Sequence, residues 1–118
     1  MGLDQYAHSV DENGEKTEIA YWRKHNRLQG WMEKQWRDLG GEGDFNCEEL
    51  ELSPADIDVL EDAVMAARLP QTEGFFFGQD SYEDQRWSAD YRKQDVEFIE
   101  AARAALRAGH RVLYYCWW

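Results

Sequence analysis

Polar and apolar side chains alternate from Gly2 to Val10, with Leu3, Gln5, Ala7 and Ser9 on one side and Asp4, Tyr6, His8 and Val10 on the other. That period of two predicts a short strand. Asp11-Glu12-Asn13-Gly14-Glu15 predicts a turn, because Asn-Gly accepts a positive φ. Beyond it the spacing of Tyr21, His25, Leu28, Trp31, Met32, Gln35 and Leu39 changes to threes and fours. With Thr17 as N-cap, this predicts a helix from about Glu18 to Leu39, turning Arg23, Asn26, Arg27, Glu33, Lys34 and Arg37 outward. Gly40-Gly41-Glu42-Gly43 supplies its stop.

Phe45 to Leu52 reads as a second strand. Ser53-Pro54-Ala55-Asp56 is the sharpest local signal in the chain, with Ser as cap, Pro at the first helical position and Asp at the third. The helix it opens buries Ile57, Leu60, Val64 and Ala67 and stops before Pro70. Thr72 to Gly78 is a glycine-bounded aromatic run that suits a strand or an ordered loop. Ser81 or Ser88 then caps a long helix whose buried line is Trp87, Tyr91, Gln94, Phe98, Ala102 and Ala105, ended by Gly109. His110 to Trp118 is nearly all apolar or aromatic after Arg111, as expected of a strand covered on both faces. Three helices among three or four strands predict a single α+β domain over residues 1–118, with a small, mainly antiparallel or mixed sheet.

Composition narrows the class. The 118 residues carry 24 acidic and 13 basic side chains, a formal net charge of −11, yet 43% are hydrophobic and 14% aromatic. A disordered acidic tail lacks such apolar content, so a packed core is expected. No apolar run is long enough to cross a bilayer, Met1 to Val10 has no secretory pattern, and two cysteines make no disulfide framework. The expectation is a reduced, cytoplasmic protein with no membrane association. The charge is unevenly placed: between Asp38 and Ala67 there are ten acidic residues and no Lys or Arg, whereas Lys16 to Arg37 holds six basic residues and only Glu18 and Glu33. Such a field repels nucleic-acid phosphates and speeds encounter with a basic protein.

The chain has no phosphate loop, dinucleotide fingerprint or zinc helix. Cys47 and Cys116 are isolated, and His8, His25 and His110 have no second ligand one turn away, so neither metal nor cofactor is expected. Three sets of residues carry chemical interest. In Tyr21-Trp22-Arg23-Lys24-His25-Asn26, a phenol, an imidazole and a guanidinium lie within two helical turns and suit an anionic ligand. Glu73 with Phe75, Phe76 and Phe77 offers aromatics that cannot all enter one core face. Tyr114, Tyr115, Trp117 and Trp118 must dock on the core, on a second copy or on a partner, and Cys116 among them should be buried and inert.

Together, Tyr21 to Asn26 with Trp31, Thr72 to Gly78, and Tyr114 to Trp118 resemble a family of small proteins from tailed phages, including cyanophages, and from bacteria, whose members are often labelled phosphoglycerate kinase. The resemblance spans nearly the whole chain and implies a phage or mobile-element origin, hence a host-cell cytoplasmic setting. It brings no catalytic residue with it. Kinase activity is not expected, because the chain lacks both the length for two lobes and a phosphate loop. The leading expectation is a non-enzymatic acidic accessory factor that binds and modulates a host or viral protein with a basic surface. Glu48, Glu49, Glu51 and Asp58 would steer the encounter and Phe75, Phe76 and Phe77 would anchor it. The alternative is a small-ligand binder for a nucleotide-like anion, its pocket lined by Tyr21, Trp22, Arg23, His25, Asn26 and Glu73. Self-association into a homo-oligomer is a further expectation, and a small hydrolase or transferase using His25 and Glu73 comes last.

Overall fold

The structure, a computed structural model, describes residues 3–66 and 85–117. Its elements are β1 (Asp4–Val10), β2 (Lys16–Arg23), α1 (Asn26–Asp38), β3 (Glu49–Leu52), α2 (Pro54–Met65), α3 (Gln85–Arg107) and β4 (Arg111–Trp117). The four strands form one antiparallel sheet in the order β2-β1-β4-β3. With its three helices this is the α+β class that the periodicities imply.

The main departure lies between Lys16 and His25, where a helix was expected and a strand is found. Asp11 organises the preceding turn: its Oδ1 accepts from the backbone N–H of Asn13 at 2.8 Å and of Glu15 at 2.9 Å. The turn sends the chain back along β1 as a hairpin, pairing Asp4 with Arg23 and Val10 with Lys16. Thr17, Ile19, Tyr21 and Trp22 are β-branched or aromatic, so the segment fits a pleated surface better than its three-and-four spacing suggests. Thr17 is therefore a strand residue, not a cap. Lys24, at φ 57°, ends the strand in the left-handed region, and α1 starts at Asn26 behind a His25 whose side chain makes no capping bond.

The remaining elements shift less. α1 ends at Asp38, followed by Gly40 at φ 100°, and α3 ends before Gly109 at φ 83°, two positions where an L side chain would be strained. The second strand is only Glu49–Leu52, because Cys47 turns into the left-handed region at φ 61°. Phe45 is nonetheless fully buried, stacked on Trp36 at 5.0 Å. Ser53 forms the expected box: its Oγ accepts from the Asp56 N–H at 3.1 Å while Asp56 Oδ2 accepts from the Ser53 N–H at 2.9 Å. Ser88 lies inside α3 rather than at its cap. In the buried line of that helix Gln94 is exposed, and Asp95 takes its place beside Phe98, Ile99 and Ala102. Ala67, Pro70, Glu73, Phe75, Phe76, Phe77, Ser81 and Trp118 lie outside the described residues.

All three helices contribute to one core with the sheet. Leu28 and Met32 of α1, Ile57, Leu60 and Val64 of α2, and Phe98, Ile99 and Ala102 of α3 join Trp22, Leu50, Leu52, Val112, Tyr114 and Cys116 from the strands. Trp22 meets Phe98 edge to face, centroids 5.0 Å apart, a favoured aromatic geometry. Among the described residues, alternation along the strands leaves the opposite face of the sheet without a helix over it. That face carries Asp4, Tyr6, His8, Tyr21, Arg23, Leu113, Tyr115 and Trp117.

Candidate functional site

Between the sheet and the helices lies a buried polar network, and its anchors are residues on which little weight fell in the sequence. Gln5 sits on the inward side of β1 and is fully buried. Its Oε1 accepts from the His25 N–H at 2.8 Å, and its Nε2 donates to the His25 carbonyl at 3.1 Å and to the Tyr114 hydroxyl at 2.9 Å. Tyr114 donates onward to Gln29 Oε1 at 2.5 Å. Gln29 Nε2 donates to Cys116 Sγ at 3.2 Å, and the Cys116 thiol donates to the Phe45 carbonyl at 3.1 Å. Burial pushes the Cys116 thiol up to about 12 and the Tyr114 phenol well above its ordinary value. Both stay protonated and keep donating at neutral pH.

A second arm holds α3. Asp95 Oδ1 accepts from Trp22 Nε1 at 3.0 Å, and its Oδ2 lies 2.9 Å from His25 Nε2. The His25 ring stacks on Tyr91, centroids 4.3 Å apart and planes 7° from parallel. The Tyr91 hydroxyl donates to the carbonyls of Arg23 at 2.8 Å and Lys24 at 3.1 Å. An imidazole on a carboxylate is the arrangement of a general base, but His25 is 1% exposed and covered on one ring face. Its visible role is to lock α3 onto the corner between β2 and α1.

The residues expected to line one ligand pocket are divided: Trp22 and His25 meet at Asp95 in the core, while Tyr21 and Arg23 lie on the other face. Tyr21 and Trp22 are neighbours on a strand, so they point to opposite faces: Tyr21 is 43% exposed on the open face and Trp22 fully buried on the other. Arg23 shares the open face with Tyr21, whereas His25 and Asn26 are buried at the β2–α1 corner. The helical reading had placed Tyr21 and His25 one turn apart, and the strand removes that relation. Glu73 is outside the described residues. Gln5 had a legible signal, a polar residue on the apolar side of a predicted strand. Asp95 had only its spacing of four from Tyr91 and from Ile99.

The expected acidic face is largely engaged with the protein's own cations. Glu49 pairs with Lys16 at 2.5 Å, Glu51 with Arg111 at 2.6 Å, and Asp58 with Arg103 at 2.7 Å, where Glu61 also joins at 2.6 Å. Arg103 holds the Glu61 carboxyl below its usual range. Glu48 is exposed beside Glu49. These pairs are solvent-exposed or half-buried and individually weak.

Tyr6, Tyr21, Tyr115 and Trp117 share the open face of the sheet. Strand register aligns Tyr21, Tyr6 and Tyr115 across β2, β1 and β4. Tyr6 lies 5.1 Å from Tyr21 and 6.4 Å from both Tyr115 and His8, measured between ring centroids. The Tyr21 hydroxyl donates to Asp4 Oδ1 at 2.6 Å, which raises the phenol's pKa. Tyr115 is also raised, chiefly by its bond with Cys47. Beyond the row Trp117 is 56% exposed. Glu49 continues the row on β3 opposite Tyr115, and its ion pair with Lys16, which lies at the Val10 end of β2, crosses the face over β1 and β4 from one edge strand to the other. On the same face Val10 and Leu113 are buried, only 7% and 6% exposed.

Among the described residues no cluster of three or more His, Cys, Asp or Glu could hold a metal ion, and no helix is long and apolar enough to cross a membrane. Comparison with protein-family models, curated proteins and solved structures finds no match. The functional reading therefore rests on the chain's own residues.

Proposed function

We propose that the chain is a non-enzymatic interaction protein that binds a basic surface of another protein through the open face of its sheet. One observation carries the reading: Tyr6, Tyr21, Tyr115 and Trp117 form a partly exposed aromatic surface on a chain of net charge −11, while His25, Asp95, Gln5, Gln29 and Tyr114 are buried and bonded to one another. Exposed tyrosine and tryptophan are the side chains that most often anchor interfaces. The excess of carboxylates contributes by long-range attraction, which raises association rates with cationic partners and disfavours nucleic acid, anionic lipid and a second equally charged copy. Because Glu49, Glu51 and Asp58 already have internal partners, steering comes from the summed field rather than from those three groups as contacts. In the setting that the sequence resemblance implies, the partner is a host or viral protein.

The test is capture of the partner from host-type lysate, followed by binding kinetics. Tyr21→Ala and Trp117→Ala should speed dissociation. Replacing Glu48, Glu49 and Glu51 by Gln should slow association and flatten its salt dependence. Kinetics unchanged by both sets would reject the reading.

A further inference from the structure

We propose that the Tyr21–Tyr6–Tyr115 row, flanked by Asp4 at the Tyr21 hydroxyl and by Glu49 opposite Tyr115, is a site for arginine side chains of an extended, arginine-rich protein segment. This deepens the proposed function by naming the contact chemistry of that face, and it rests on that reading.

The row is organised before any ligand arrives. Tyr21 is tethered by its hydroxyl to Asp4, and Tyr6 is wedged between Tyr21, Tyr115 and His8 with centroid spacings of 5.1, 6.4 and 6.4 Å. The three phenol rings lie tilted across adjacent strands, so a ligand spends little entropy ordering them. A guanidinium is planar, weakly hydrated and stacks on aromatic faces, whereas an ammonium is a compact, strongly hydrated charge. Tyrosine faces flanked by carboxylates therefore discriminate in favour of arginine. Register sets Tyr115 opposite Glu49 on β3, and the Tyr21 hydroxyl bond holds Asp4 at the Tyr21 side, so a cation over either end of the row has a carboxylate within its own neighbourhood. The chain's charge of −11 opposes a second copy of itself on this face.

Lys16 gives the proposal a sharper edge. Its ammonium already occupies Glu49 across the face, in a pair whose side chains are 50% and 47% exposed. Such a pair has little net worth, and an arriving guanidinium, able to bind a carboxylate with two parallel N–H bonds, displaces it. Lys16 is then an internal competitor for the ligand.

The experiment is equilibrium titration of the whole chain, at low and moderate salt, with a peptide of alternating arginine and glycine and with its lysine twin of equal length. The arginine peptide should bind about fivefold more tightly. Tyr21→Leu and Tyr115→Leu should remove that preference while the unfolding midpoint stays near wild type, and Lys16→Gln should tighten binding about twofold or more. Equal, salt-sensitive affinity for the two peptides that ignores the tyrosine substitutions would overturn this site and leave the general interaction reading standing. No binding of either peptide at low salt would overturn both. A dimer in sedimentation that Tyr21→Leu dissociates would also overturn the site, because the face would then be a self-interface.

Discussion

The His25 ring and the Asp95 carboxylate, 70 positions apart in the sequence, meet at 2.9 Å with both side chains 2% exposed. One carboxylate thus bridges two elements, since Trp22 of β2 donates to its other oxygen. Asp95→Ala should leave an imidazole and an indole N–H buried without an acceptor. A loss of about 3 kcal/mol in urea unfolding is expected. Asp95→Asn keeps an amide oxygen for one donor and should cost clearly less. Equal losses would mean that packing volume, not the bonds, is what Asp95 provides.

The two thiols should separate cleanly by reactivity. Cys47 is exposed, whereas Cys116 is buried, donates to Phe45 and is held protonated up to about 12. A thiol-specific reagent at pH 8 should modify one cysteine per native chain and two after denaturation, with peptide mapping placing the native label on Cys47.

Alkali should unfold the protein through the same buried groups. The Cys116 thiol ionises near 9 when unfolded but only near 12 when folded, so between those values the unfolded chain gives up a proton that the folded one keeps. Stability is complete below pH 9 and declines as pH rises, by at most about 1.4 kcal/mol per pH unit for this group. Tyr114 is displaced in the same direction and adds to the loss. Urea midpoints under reducing conditions should therefore fall from about pH 9 upward in wild type and fall less steeply in Cys116→Ala.

Ser53→Ala removes the acceptor for the Asp56 N–H and should cost about 1 kcal/mol. Because Arg103 ties α3 to Asp58 and Glu61 of α2, Arg103→Ala should loosen the same helix from its other side. Amide exchange along Asp58 to Val64 is the measurement that separates the two effects.

Local signals were legible where a single side chain dictates backbone geometry. Ser53-Pro54-Ala55-Asp56 and the glycines after α1 and α3 fall where the sequence places them, and Leu3, Gln5, Ala7 and Ser9 all point inward as alternation requires. The failure at Lys16 to Arg23 has a physical source. Tyr21, His25 and Leu28 have helical spacing, but the Asn13-Gly14 turn and the β-branched residues after it commit the chain to a hairpin, and cross-strand pairing with β1 outweighs periodicity. That one exchange put Tyr21 on the aromatic face of the sheet and left His25 buried at the β2–α1 corner. The Asp95 contact was not legible, because a lone acid on an amphipathic helix reads as solvated until its partners on β2 and at the β2–α1 corner are known. Glu49, Glu51 and Asp58 looked available for a partner only because sequence spacing does not show that Lys16, Arg111 and Arg103 reach them.

The sheet order β2-β1-β4-β3 makes β1 and β4 its central pair, and Gln5 and Tyr114, which bond across them, are 109 positions apart. During synthesis the β1–β2 hairpin is made well before the seven-residue β4, Arg111–Trp117, that pairs with the other edge of β1. Completion of the sheet therefore waits on distant contacts, which form slowly. Until that moment the nascent chain displays an unpaired strand edge and bare aromatic side chains, which is the state that chaperones recognise.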